Sequence, residues 1–169
     1  MDIILWRHAE AFELAAEDLS EQADLDRALT AKGERQAHRM AEWLNQRLAH
    51  STRILVSPAR RAQQTAKALD RHFKTMASLS PSASVEQMLQ ASKWPNSPEA
   101  VLIVGHQPTL GLLAAQLLCG AAQPWAIKKG AVWWLRNRVR QRLTQRVGEP
   151  DTESSAQVIL QVVQGPDFL

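Results

Sequence analysis

The sequence predicts an α/β fold: a single domain over residues 1–169, with a mainly parallel open sheet, helices on both faces, and room for an antiparallel edge strand near the end. Three observations lead there. Short apolar runs recur at Ile3-Ile4-Leu5-Trp6, Ile54-Leu55-Val56 and Val101-Leu102-Ile103-Val104, continuous rather than alternating, as in strands buried on both faces. Stretches of helical period separate them. Each run also stops abruptly in polar chemistry, at Arg7-His8, at Ser57 followed by Arg60 and Arg61, and at Gly105-His106. In a parallel sheet, ligands bind beyond the carboxyl ends of the strands.

The elements follow in order. After the first strand, Glu10 to Asp26 is acidic and poor in large apolar residues, which predicts a surface loop beside the site. Thr30 is placed to cap a helix whose stripe of Ala37, Met40, Ala41, Leu44 and Leu48 runs to about Ala49. Arg53 to Val56 is the second strand, and Ala62, Ala66, Leu69 and Phe73 mark the helix after it, with Pro58 at the turn or its first position. Backbone donors at such a helix start favour an anion, and a nearby arginine adds charge. Met76 to Ser84 is small and polar. Val85-Glu86-Gln87-Met88-Leu89 reads as a short strand or its exit, and Trp94 to Pro98 as a proline-punctuated loop. Ala100 to Val104 is the clearest strand, and Leu110, Leu113, Ala114, Leu117 and Leu118 give a helix that stops at Gly120. A late strand begins at Lys128 to Leu135, and Ala156 to Val163 is the last, with a polar turn from Gly148 to Ser155 before it.

Composition narrows the function. The single cysteine, Cys119, allows no disulfide framework, and no Cys and His cluster has metal-ligand spacing, so a reducing, cytoplasmic setting without a metal is expected. No signal peptide precedes the first strand, and the apolar stretch around Leu110 to Leu118 is far short of a membrane span, so no membrane partner is expected. The net charge is +3, and Arg136, Arg138, Arg140, Arg142 and Arg146 cluster late in the chain. Alternate arginines on a strand more often form its solvated face. With no tyrosine and three phenylalanines for stacking, nucleic-acid binding ranks low.

Taken singly, His8 and Arg7 read as a solvated strand end, Arg60 and Arg61 as an exposed first turn, and His106 as a cap or a satisfied core histidine. Together they carry another reading, because a strand-end imidazole is a nucleophile and a guanidinium fork suits phosphate oxygens. Arg7-His8, Leu29-Thr30 with Lys32-Gly33, Ser57-Pro58 with Arg61-Ala62 and Gln64-Thr65, and Val104-Gly105-His106 together resemble the histidine phosphatase superfamily, with its phosphoglycerate mutase-like fold. The short chain and Lys128-Lys129-Gly130-Ala131 look most like its SixA branch of small bacterial phosphohistidine phosphatases, and the likeness runs from Met1 to about Leu135.

The resemblance implies a metal-independent phosphatase without a cofactor, in which His8 forms a transient phosphohistidine and Arg7, Arg61 and His106 surround the phosphoryl group. Its substrate would be phosphohistidine in a signalling protein. The family spacing, arginine-alanine-x-glutamine-threonine, selects Arg61 over Arg60. Two departures stand out. Ala9 occupies a position that is often glycine, and Met88 lies nearest the place where many relatives carry a glutamate to protonate the leaving group, which leaves Glu86 and Glu10 as substitutes. The loops after the first and fourth strands leave little length for a lid, so an open cleft is expected. The rival readings are a phosphatase of small phosphorylated metabolites and a non-catalytic module that binds phosphorylated ligands.

Overall fold

Asp2–Arg7 (β1) places Ile3 and Leu5 on one face of a sheet and Ile4 and Trp6 on the other, all fully buried. A period of two in an all-apolar run leaves no solvated face, so both sides must be covered. The computed structural model describes residues 1–18, 20–143 and 152–169, with side chains given to residue 138 and again from 157. Within them, β1 is joined by Arg53–Val56 (β2), Lys74–Thr75 (β3), Val101–Gly105 (β4), Val132–Leu143 (β5) and Thr152–Gln164 (β6) in the order β3-β2-β4-β1-β5-β6. The first four strands in that order pair in parallel, whereas β5 runs antiparallel to both β1 and β6. The mainly parallel sheet with an antiparallel edge is therefore the architecture the sequence predicts.

Helices cover both faces. Glu21–Asp26 (α1) is short, and Ala31–Asn45 (α2) and Arg60–Lys67 (α3) pack Met40, Leu44, Ala62 and Ala66 against Ile4, Trp6, Leu102 and Val104. On the other face Val85–Ser92 (α4) and Thr109–Cys119 (α5) bring Met88, Leu110 and Leu113 against Ile3, Leu5 and Ile103. Each of the Met, Leu, Ile and Val side chains among them contributes about 1.5–3 kcal/mol by leaving water.

Several boundaries differ from expectation. Val85 to Leu89 is the start of α4 rather than a strand, because Ser84 and Gln87 form a capping box: Ser84 Oγ accepts from the Gln87 amide at 3.3 Å, and Gln87 Oε1 accepts from the Ser84 amide at 2.8 Å. Met88 is thereby a core residue. The acidic loop contains α1, capped by Ser20 and burying none of its residues. Thr30 does cap α2, through its hydroxyl to the Gly33 amide at 3.0 Å, but the helix ends at Asn45 rather than near Ala49. Gly120, at φ 76°, closes α5 as expected. Of the turn placed at Gly148 to Ser155, residues 148–151 lie outside the described residues and 152–155 belong to β6. Arg136 pairs with Asp2, Nε to Oδ1 at 2.7 Å, and Arg138 is exposed; Arg146 lies outside the described residues, as do the side chains of Arg140 and Arg142.

Candidate active site

The parallel ladder sets the geometry of the site. The strands β2, β4 and β1 are neighbours, with Val56 in register with Val104 and Arg7 with Gly105. The ladder continues past their ends: the Ser57 amide donates to Val104 O and the His8 amide to Gly105 O, both at 3.1 Å. Ser57, His8 and His106 thus leave three adjacent strands at one level. The His8 and His106 rings lie 5.1 Å apart at 50°.

The two histidines lie at the floor of a cleft of about 470 Å³. It is lined by Arg7, His8, Arg61 and His106, with Glu13, Asp24, Arg27 and Lys129 among the residues around them. The family spacing predicted Arg61 rather than Arg60, and Arg61 is the buried one, at 3% exposure, while Arg60 faces solvent. The same motif explains itself further. Thr65 Oγ1 accepts from the Ala9 amide at 3.1 Å and donates to Arg61 O at 2.7 Å, and Gln64 Oε1 accepts from the Leu29 amide at 2.8 Å. The motif therefore ties α3 to the segment that follows His8. Gly33 belongs to the same brace, since a Cβ there would lie 1.9 Å from Glu10 O.

His8 is held as one tautomer. Its Nδ1–H donates to Ala9 O at 2.7 Å, leaving Nε2 with its lone pair, toward which Arg61 Nε donates at 3.3 Å. Burial, with the charges of Arg61, Arg7 and Arg27 nearby, pushes its pKa down to about 3 against the weaker opposing pull of the Ala9 carbonyl. The imidazole is neutral at physiological pH. Burial likewise pushes His106 down to about 2, with His8 and Arg61 adding to the effect.

Two polar atoms of the floor have no partner among the described residues: Arg7 Nε and His106 Nδ1. Arg7 Nη1 is committed to Ile127 O at 2.7 Å and His106 Nε2 to Ser57 Oγ at 2.7 Å. Buried polar atoms left unpaired in a positively charged cleft are what an anion would satisfy.

Glu10 and Glu86 do not line the cleft. Glu10 Oε2 pairs with Lys32 Nζ and Oε1 accepts from Thr30 Oγ1, both at 3.0 Å, and these bonds hold its pKa down. Glu86 is exposed on the first turn of α4, where its own backbone amide and Ser84 lower its pKa. A group held ionised and pointing elsewhere cannot serve as the acid. Sequence reasoning passed over Asp24 instead. Its carboxylate takes Arg61 Nη2 at 2.9 Å and Arg27 Nη2 at 2.7 Å, while its carbonyl accepts from Arg61 Nη1. Only the acidity of that segment hinted at this, because the pairing crosses 37 residues.

The family model described as histidine phosphatase superfamily (branch 1) matches residues 3–83. The chain is 34% identical to an uncharacterized protein of Picosynechococcus over 81% of this chain and 86% of that one. It is 31% identical to the phosphohistidine phosphatase SixA of Escherichia coli, over 73% and 78%. A structure of the protein histidine phosphatase SixA in complex with tungstate superimposes with a TM-score of 0.69 at 22% identity, covering 99% of each chain. The chain belongs to the histidine phosphatase superfamily, in its SixA-type branch.

Proposed function

We propose that this phosphatase works without a metal through a phosphohistidine formed on His8, and that its substrate is phosphohistidine in a signalling protein of the cytoplasm. The observation that carries the reading is the pairing of a tautomer-fixed His8 Nε2, unprotonated and approached by Arg61 Nε, with the unpartnered Arg7 Nε and His106 Nδ1 of the same cleft. In the first step the Nε2 lone pair bonds to phosphorus as the phosphorus–leaving-group bond breaks. Arg61, Arg7 and His106, which line the same cleft, supply donors to the negative charge on the phosphoryl oxygens. Water then attacks the phosphorus, the phosphorus–nitrogen bond returns its electrons to His8 Nε2, and inorganic phosphate leaves, with the water's proton passing to solvent or phosphate.

The substrate assignment rests on what protonates the leaving group. Asp24 is held ionised by Arg27 and Arg61, in spite of partial burial that works the other way. Neither Glu10 nor Glu86 reaches the cleft, and Glu13, which lines it, is an exposed side chain of the rim. An alkoxide leaving group needs an acid at the moment of cleavage. A phosphorylated imidazole does not, since its distal nitrogen takes a proton from solvent beforehand and the ring departs neutral. The name of the Escherichia coli relative points the same way. Among the described residues no group of three His, Cys, Asp or Glu side chains is placed to hold a metal, and the arginines supply the positive charge.

The test compares kcat/KM for a phosphohistidine-bearing protein with that for a panel of phosphomonoesters, with and without chelator. The protein substrate should be preferred by orders of magnitude, and chelation should change nothing. Efficient turnover of one metabolite with none of the phosphoprotein would replace the substrate and leave the His8 chemistry standing.

A further inference from the structure

We propose that Ser57 fixes the tautomer of His106, so that His106 meets the phosphoryl group as an N–H donor; this rests on the phosphatase reading above and names a positioning residue within it. Ser57 is fully buried at the end of β2. Its amide donates to Val104 O, and its carbonyl accepts from Gln63 Nε2 at 2.6 Å. Its hydroxyl oxygen accepts from the Ala59 amide at 3.2 Å and lies 2.7 Å from His106 Nε2. A buried hydroxyl carries one proton that needs an acceptor. The Ala59 amide is a donor and cannot take it. Among the described contacts His106 Nε2 is the acceptor that remains, and it accepts only when it carries no proton itself.

A neutral imidazole has a single ring proton, and His106 is deeply buried and neutral. That proton is therefore on Nδ1. Nδ1 is sealed from solvent without a protein partner, in a side chain that lines the cleft beside His8. The opposite tautomer would strand the serine proton in a buried site without an acceptor. It would also turn a lone pair toward an anion.

The two histidines are thus set to opposite tasks by opposite partners, an acceptor for His8 and a donor for His106. The carbonyl of Ala9 draws the His8 proton to Nδ1 and leaves Nε2 unprotonated for attack. The hydroxyl of Ser57 occupies the Nε2 lone pair of His106 and leaves its Nδ1–H for a phosphoryl oxygen. This gives the serine of the Ser57-Pro58 pair a part in the chemistry beyond starting α3.

The experiment is 15N NMR of the full chain labelled at histidine, with the His106 signals identified by His106→Gln. Wild type should show the Nδ1–H form at His106, Ser57→Ala should shift it toward the Nε2–H form or a mixture, and Ser57→Thr should restore it. In parallel, Ser57→Ala should bind orthovanadate at least about tenfold more weakly and lose kcat, with ~10²–10³-fold, the cost of a whole oxyanion donor, as the ceiling. Ser57→Thr should recover both. An Nε2–H tautomer in wild type overturns the proposal, as does a Ser57→Ala protein with unchanged tautomer and vanadate affinity. Should Ser57→Ala fail to fold, the wild-type tautomer decides alone. Because the tautomer is read without turnover, it stands or falls separately from the phosphatase reading.

Discussion

The floor of the cleft and its rim are built on different principles. His8, Arg61 and His106, at 5%, 3% and 2% exposure, stand on the ends of hydrogen-bonded parallel strands or the first turn of the helix after one. Their positions follow from the backbone ladder and from two packed faces. The rim residues Glu13, Asp24 and Arg27 come from the segment between β1 and α2, whose helix α1 buries nothing. Asp24 and Arg27 are held by side-chain ion pairs, to each other and from Asp24 to Arg61. The floor should therefore determine whether the reaction occurs, whereas the rim should adjust how tightly anions are held, and substitutions can be ranked on that division.

The largest effect is expected at His8. His8→Ala removes the only group in the proposed scheme that bonds to phosphorus, so turnover of a phosphohistidine protein should disappear while the circular dichroism spectrum is retained. Near-normal turnover would remove the floor's claim to the chemistry.

Next comes the pair of neighbouring arginines. Arg61→Ala takes a buried donor away from His8 Nε2 and should cost ~3–4 kcal/mol in kcat/KM, as lost oxyanion donors do. Arg60→Ala, on the exposed side of the same turn, should change kcat/KM less than about twofold. Equal losses at the two positions would show that burial in the cleft does not separate them.

Much of the floor was legible in the sequence, because each of its residues directly follows a short apolar run or opens the next helix, and local order alone places them at one sheet edge. The helix α4 was missed because Val85 and Leu89 outweighed the Ser84-x-x-Gln87 signature, a local signal strong enough to start a helix. That error also put Met88 beside the site, whereas the helix turns it into the core. The rim was not legible. Asp24 has no periodic neighbour and no motif, and its partner Arg61 lies 37 residues away, so nothing local distinguishes it from the other acids of its segment. Glu86 and Glu10 were the acids the sequence offered, yet Glu86 is exposed on α4 and Glu10 is taken up by Thr30 and Lys32.

A different signature of the floor is its response to acid. His8 and His106 have pKa values of about 3 and about 2 when folded, against an ordinary 6.5 when unfolded. Below pH 6.5 the unfolded chain binds protons that the folded chain refuses, so stability falls as pH drops through that window. Urea unfolding at pH 4.5 should give a free energy roughly 5 kcal/mol below that at pH 7, about half from each histidine. The rim should contribute little to this loss, because the Asp24 pKa is lowered from 3.8 and its ion pairs survive to a still lower pH. His106→Gln should flatten the dependence, and an unchanged slope in that variant would mean that the buried imidazole is not its source.

The smallest expected effect tests the rim itself. Asp24 fixes the outer nitrogens of Arg61 and leaves Nε pointing at His8, so it aims the guanidinium. It also puts a negative charge one guanidinium away from the place where a phosphoryl group would sit. The two roles have opposite signs in binding. Asp24→Asn keeps an oxygen that can accept from Arg61 but removes the charge, and for a pair partly open to solvent that repulsion is on the order of 1 kcal/mol. Inorganic phosphate should therefore inhibit the variant about fivefold more tightly, and KM for the phosphoprotein should fall. At the same time kcat should drop by a similar factor, because a neutral amide holds the arginine less firmly and the phosphoryl group is bound more tightly before reaction. The opposed movement of affinity and kcat is the mark of a rim that tunes a floor it does not form. Weaker phosphate inhibition in Asp24→Asn would instead make Asp24 part of the floor, acting only by holding Arg61 in place.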